Sequence, residues 1–176
     1  NGDSETARAA LTEVIANDTN PGAIAPEDRL ALARSHINSG DNISAERVLV
    51  TLRDGEIRSL NLPEQASYAA LLALASPERG ISKFSGLRPA MLASKLTPTA
   101  QMDIVRAALS VKDHKLADLH TDYLMSSHDA KKVFNNIRAQ YALHGREQDF
   151  RTIQKEVALR RIQREAATAL PVAIDF

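Results

Sequence analysis

Ser39-Gly40-Asp41-Asn42-Ile43-Ser44-Ala45-Glu46-Arg47-Val48-Leu49 aligns without a gap on Asn1-Gly2-Asp3-Ser4-Glu5-Thr6-Ala7-Arg8-Ala9-Ala10-Leu11, 38 positions earlier. Each copy carries Gly-Asp, an alanine five residues after the glycine, and a leucine four residues after that. A third copy begins at Lys112-Asp113, with Ala117 five residues on. A fourth begins at Gly145-Arg146, where Phe150 takes the alanine position. Self-similarity at this period marks a chain built from one supersecondary unit, repeated and stacked.

Outward from these turns, prolines mark helix starts. Pro26, Pro63 and Pro98 each open an apolar-periodic stretch, and each stands 14 residues before a turn position, at Gly40, Pro77 and Lys112. Proline suits the first helical turn, where its missing N–H has no intrahelical partner to lose. Each unit is therefore predicted to be a pair of helices, A and B. Residues 26–38 form one helix A, which Gly40 ends by taking a backbone conformation that favours glycine. Asn42 or Ser44 caps the following helix B. There Ala45, Val48, Leu49 and Leu52 make an i, i+3, i+4, i+7 stripe, and the small Ala45 lets the partner helix approach. One such pair cannot bury its apolar face alone, and stacking on neighbours closes the core.

The same reading gives an Ala/Leu-rich buried helix over 63–75. Its partner spans 77 to about 84, cut short by Gly80, Gly86 and Pro89, with a separate short helix over 89–95. Pairs over 98–111 with 113–125, and 128–143 with 147–168, complete the series. Alternating apolar and polar runs of the half-buried strand type are absent. The expected fold is all-α, an α-hairpin repeat solenoid. Its repeat domain covers 1–165, in units of about 1–21 (partial), 26–54, 63–95, 98–126 and 128–165, followed by a tail over 166–176. Because the chain opens at a turn before a helix B, further repeats upstream or a cleavage point are expected. Leu11, Val14 and Ile15 would then present an uncovered apolar face.

Composition limits the function classes. Lys plus Arg and Asp plus Glu both number 22, so no net charge attracts nucleic acid or anionic lipid. With 44% hydrophobic and only 4% aromatic residues, the core must come from Ala, Leu, Ile and Val, which suits close helix packing. The absence of cysteine excludes disulfides, thiolate nucleophiles and Cys-based zinc sites. No apolar run approaches the roughly 20 residues that cross a bilayer, so no membrane insertion is expected. Localisation stays undecided.

The repeats resemble tetratricopeptide repeats, which have a small residue in helix A, Gly-Asp or similar at the turn, and alanine early in helix B. The helix-A position falls at Ala33, Ala70 and Val105, the turn at Gly2, Gly40 and Gly145, and the helix-B position at Ala7, Ala45, Ser82 and Ala117. Arg29, Ala66 and Gln101 stand where the family has an aromatic residue. The resemblance implies a right-handed superhelix whose concave helix-A face holds a peptide or helix of a partner protein. Carried over by position, that face is lined by Glu27, Leu30, Arg34, Ile37 and Asn38, then Ser67, Leu71 and Leu74, then Met102, Arg106, Leu109 and Ser110, then Asn135. Arg34 and Arg106 would clamp carboxylates. The implied function is non-catalytic protein–protein interaction, with no cofactor, metal or nucleic acid. The alternative is a structural spacer or oligomerisation segment of a larger assembly, such as a bacterial envelope complex.

Three other constellations carry chemistry in principle. His114 and Asp118 are spaced i, i+4 and would need a third ligand to hold zinc; both read more simply as solvent-facing. Ser127-His128-Asp129 names triad residue types, but adjacent residues cannot converge as a triad, and Ser127 or His128 is better read as a helix N-cap. Arg146, Arg151, Lys155, Arg160, Arg161 and Arg164 form a basic strip interleaved with Glu147, Glu156 and Glu165, a pattern typical of a solvated face. Asn17 and Asn42 each begin a glycosylation sequon, which matters only in a eukaryotic secretory route.

Overall fold

The computed structural model describes residues 6, 10–14, 24–93, 96–127 and 130–169, and among these there is no strand. Residues 6 and 10–14 are helical. The helices that follow are α1 (Pro26–Asn38), α2 (Asn42–Leu49), α3 (Asp54–Ser59), α4 (Leu62–Ala75), α5 (Pro77–Ala93), α6 (Pro98–Ser110), α7 (His114–Met125), α8 (Ala130–Leu143) and α9 (Glu147–Ala169). The Pro-initiated helices start as expected, with proline in the first two positions of α1, α4 and α6. Asn61 accepts from the Glu64 N–H while the Glu64 carboxylate accepts from the Asn61 N–H, both at 3.0 Å, closing a capping box on α4.

The turn motif recurs in three dimensions. Gly40, Lys112 and Gly145 all have positive φ, at 81°, 63° and 68°. After each, one amide reaches back five residues: Asp41 to the His36 carbonyl (2.9 Å), Asp113 to Ala108 (2.8 Å) and Arg146 to Tyr141 (2.8 Å). This left-handed cap satisfies carbonyls that the helix end would otherwise orphan. Lysine at the second of these positions shows how strongly the turn is imposed, since L-residues other than Asn and Asp rarely adopt it. The following helices are capped by Asp41 and Asp113, whose carboxylates accept from Ser44 N–H (3.0 Å) and Leu116 N–H (3.2 Å). The expected caps Asn42 and Ser44 are thus corrected: Ser44 contributes the amide, and the acidic residue of Gly-Asp contributes the acceptor.

Between α4 and α5 the turn is shorter. Ser76 alone separates the helices, against Ser39-Gly40-Asp41 between α1 and α2. Two missing residues shift the register by two. Gly80, not the exposed Ser82, is the small residue at the close approach. It is the fourth residue of its helix, as are Ala45, Ala117 and Phe150 of theirs. A second correction concerns Pro89. The chain does not break there; α5 runs unbroken through it. An interior proline removes one i→i−4 bond, here to Ser85, but Pro89 and Ser85 both lie on the solvent side. Gly80, Phe84 and Met91 hold the opposite face in the core, and Arg88 pairs with Asp113 on α7. The last helix, expected over 147–168, is α9 and runs to Ala169.

The helices pack in chain order: α1 with α2, α4 with α5, α6 with α7, and α8 with α9. The first members also touch in series, α1 on α4, α4 on α6 and α6 on α8. Helix α4 is central, with every residue from Ala66 to Ala73 buried. Tyr68, Leu71 and Leu72 join the core of α1 and α2, while Ala66, Ala69, Ala70 and Ala73 join the larger core that runs on to α9. Arg29 is fully buried. Its guanidinium donates to the Thr51 carbonyl at 3.1 Å and pairs with Glu56, tying α3 to α1.

Candidate functional site

The faces of α1, α4, α6 and α8 that point away from the second members of each pair enclose two adjoining cavities. One, of about 210 Å³, is lined by Glu27, Leu30 and Arg34 of α1, Ser67 and Glu64 of α4, and Thr99 of α6, among others. The other, of about 240 Å³, is lined by Arg34 and Asn38 of α1, Met102, Asp103 and Arg106 of α6, and Val133 and Asn136 of α8, among others. Arg34 and Thr99 belong to both.

Arg34 separates them. Its Nε and one terminal nitrogen donate to the Asp103 carboxylate at 2.8–3.1 Å. Asp103 is 1% exposed. Burial pushes its carboxyl above the usual range, opposed by the hydrogen bond and charge of Arg34 and by a Ser67 hydrogen bond. Next to the pair, Arg106 donates to the side-chain oxygens of Asn38 and of Asn136, the latter at 3.3 Å. Burial lowers the Arg106 pKa, against the charge of Asp103. Its Nε is buried with no hydrogen-bond partner. The result is a polar seam between the two cavities, whose donors and acceptors largely satisfy one another in a low-dielectric setting.

Of the residues expected on this face, Glu27, Leu30, Arg34, Asn38, Ser67, Met102 and Arg106 do line the cavities. Others do not. Leu71 and Leu109 are 0% and 1% exposed and belong to the core. Ile37 and Leu74 pack half-buried against the core clusters. Ser110 and Asn135 are exposed and outside both cavities; Asn136, one residue on, takes the role assigned to Asn135. The two arginines are not free clamps, because Arg34 is committed to Asp103 and Arg106 to two asparagines. Asp103 and Asn136 were not anticipated, and Asp103 lies 69 residues from its partner.

The His/Asp segment resolves differently. His114 is exposed. Asp118 accepts from the Tyr141 hydroxyl at 2.8 Å and from Arg146 at 3.2 and 3.3 Å, so it serves the packing of α7 against α8 and α9. Among the described residues no group of three or more His, Asp or Glu is arranged to hold a metal ion. The Ser127 hydroxyl donates back to the Leu124 carbonyl at 2.7 Å, and the Ser127 carbonyl accepts from the Ala130 N–H at 3.3 Å. His128 and Asp129 lie outside the described residues. In the basic strip, Arg146 pairs with Asp118 and Asp149, and Arg160 with Asp122.

His120 is fully buried on α7 with an edge-on contact to Tyr123, and neither ring nitrogen has a hydrogen bond of ordinary geometry. Burial lowers its pKa from 6.5 to about 4, with the Met91 carbonyl opposing. The folded state therefore holds a neutral ring while the unfolded chain takes up a proton below pH 6.5. Stability should fall by about 3 kcal/mol as pH drops from 6.5 to 4. Asp41 and Asp113, lowered from 3.8, begin to lose their contributions at the acid end of that window and mostly below it, whereas Asp103, raised by burial, acts in the opposite sense. Urea denaturation of the wild type and His120→Phe at pH 7, 5.5 and 4.5 isolates the histidine: the gap between them should shift steadily with pH. Parallel pH profiles would show that His120 takes no part.

Compared with family models, curated proteins and solved structures, the chain matches none.

Proposed function

We propose that the chain is a tetratricopeptide-like solenoid, a right-handed superhelix of helix pairs, that binds an extended peptide or a helix of another protein on its concave helix-A face without catalysing a reaction. The observation that carries this is the meeting of α1, α4, α6 and α8 around the two cavities. Supporting it are the three left-handed turns in register and the packing of each pair on the next, the arrangement by which stacked repeats generate one continuous concave surface. Each cavity is of a size to accept one side chain, and the exposed Thr99, which lines both, carries a hydroxyl for a peptide backbone that crosses from one to the other.

Thr99 is the position to test, because it lines both cavities and is exposed. Peptides selected from a display library on the full chain should lose about tenfold or more in affinity, roughly 1.4 kcal/mol, on Thr99→Trp. Arg47→Glu, exposed on α2 and away from both cavities, should leave that affinity within about twofold. Selected peptides that ignore Thr99→Trp would move the binding face elsewhere.

A further inference from the structure

A separate groove runs between α8 and α9. Its cavity, about 530 Å³, is lined by Phe134 and Arg138 of α8 and by Phe150, Arg151, Lys155 and Ala158 of α9, among others. The Phe134 and Phe150 rings stack at a tilt, 5.3 Å apart, with Phe150 in the core and Phe134 only partly covered. The rim is cationic: Arg138 and Arg151 share the single carboxylate of Glu147, at 3.0 and 3.5 Å. Three cations thus face one anion, in a chain whose net charge is zero.

Past the cavity, the same side of α9 carries on as an exposed apolar face. Ala158 and Ile162 lie i, i+4 beside Leu159, and Leu159 and Ile162 are 56% and 62% exposed. Helix α9 has 23 residues against 14 in α8, so it extends by about 13 Å more than α8 does. From Arg151 to Ile162 the face is about 17 Å long, three helical turns.

We propose that this groove docks an amphipathic helix of a partner protein, with an apolar stripe of about three turns flanked by acidic residues. The aromatic floor and the Ala158–Ile162 stripe receive the apolar side, and Arg138, Arg151 and Lys155 meet the acidic flanks. A second copy of this chain fits poorly. A two-fold contact apposes a patch to itself and would set these cations against one another.

The test uses two fluorescein-labelled 14-residue peptides with the same leucines at i, i+3, i+4 and i+7, one flanked by glutamate and one by lysine. Fluorescence anisotropy with the full chain should show the glutamate peptide binding about tenfold or more tighter. Arg151→Glu with Lys155→Glu should abolish that preference, Ile162→Asp should weaken the glutamate peptide by about tenfold, and Thr99→Trp should change neither. Equal affinity of the two peptides, or loss on Thr99→Trp, overturns the proposal. So does no binding of either peptide, as when another segment of this chain already fills the groove. A concentration-dependent dimer in sedimentation velocity that Ile162→Asp abolishes overturns it in favour of self-association.

Discussion

Gly80→Ala should destabilise the protein by about 3 kcal/mol or more, although alanine is the better helix former. A Cβ built on Gly80 would lie 2.2 Å from the Ala73 nitrogen and 2.4 Å from the Ala73 Cα and Leu72 carbonyl carbon. These are backbone atoms of α4 and cannot rotate aside. Helices α4 and α5 would have to separate, opening the contact that holds Phe84 and Met91 in the core. Gly86 lies on the same helix with nothing within 4 Å of its Cβ position. Gly86→Ala should therefore be neutral or stabilise by up to about 1 kcal/mol. Urea denaturation of the pair decides the matter. If both variants are equally stable, the two helices do not approach as closely as described.

Arg34→Ala should cost about 3 kcal/mol, because it leaves the Asp103 carboxylate buried without its hydrogen-bonded cation and with only the charge of Arg106 to offset it. The Asp103 side chain is 2% exposed and that of Arg34 23%, so solvent can replace little of the lost interaction. The double variant Arg34→Met with Asp103→Leu should recover most of the loss, since apolar replacement of a buried ion pair is often neutral or better. Thermal melts of wild type, single and double variants check this. A mild single variant, or a double variant no better than the single, would mean that the pair is hydrated in solution. The same comparison shows why Arg34→Ala is a poor probe of binding: it perturbs the fold first.

Much of the local structure was legible in the sequence. Residues 26–38 form a helix with the bounds that Pro26 and Gly40 mark, and Ala45, Val48, Leu49 and Leu52 are all buried. These features depend on spacing and capping chemistry, which a single chain displays openly. The errors have separate causes, one in packing and one in turn length. Pro89 reads as a break, yet its exposed side tolerates the lost bond. Ser82 reads as the close-contact residue, yet a turn shorter by two residues hands that role to Gly80.

The site was legible only by halves. Helical periodicity tells which residues share a face, but α4 is buried all round, so Leu71 joins the core rather than the groove. The partner of Arg34 depends on how far each pair of helices rotates relative to the last. That sum of small angles has no signature in spacing, and so Asp103 and Asn136 escaped notice.

The Arg34–Asp103 and Arg106–Asn38 contacts join α1 to α6 across the intervening α4. A stack whose units touch only their neighbours can fray from one end while the rest stays folded. These cross-links remove that independence. Opening α1 strips the hydrogen-bonded counter-charge from a carboxylate in the middle of the molecule, so the segment from α1 to α6 is expected to melt as one cooperative block rather than unit by unit.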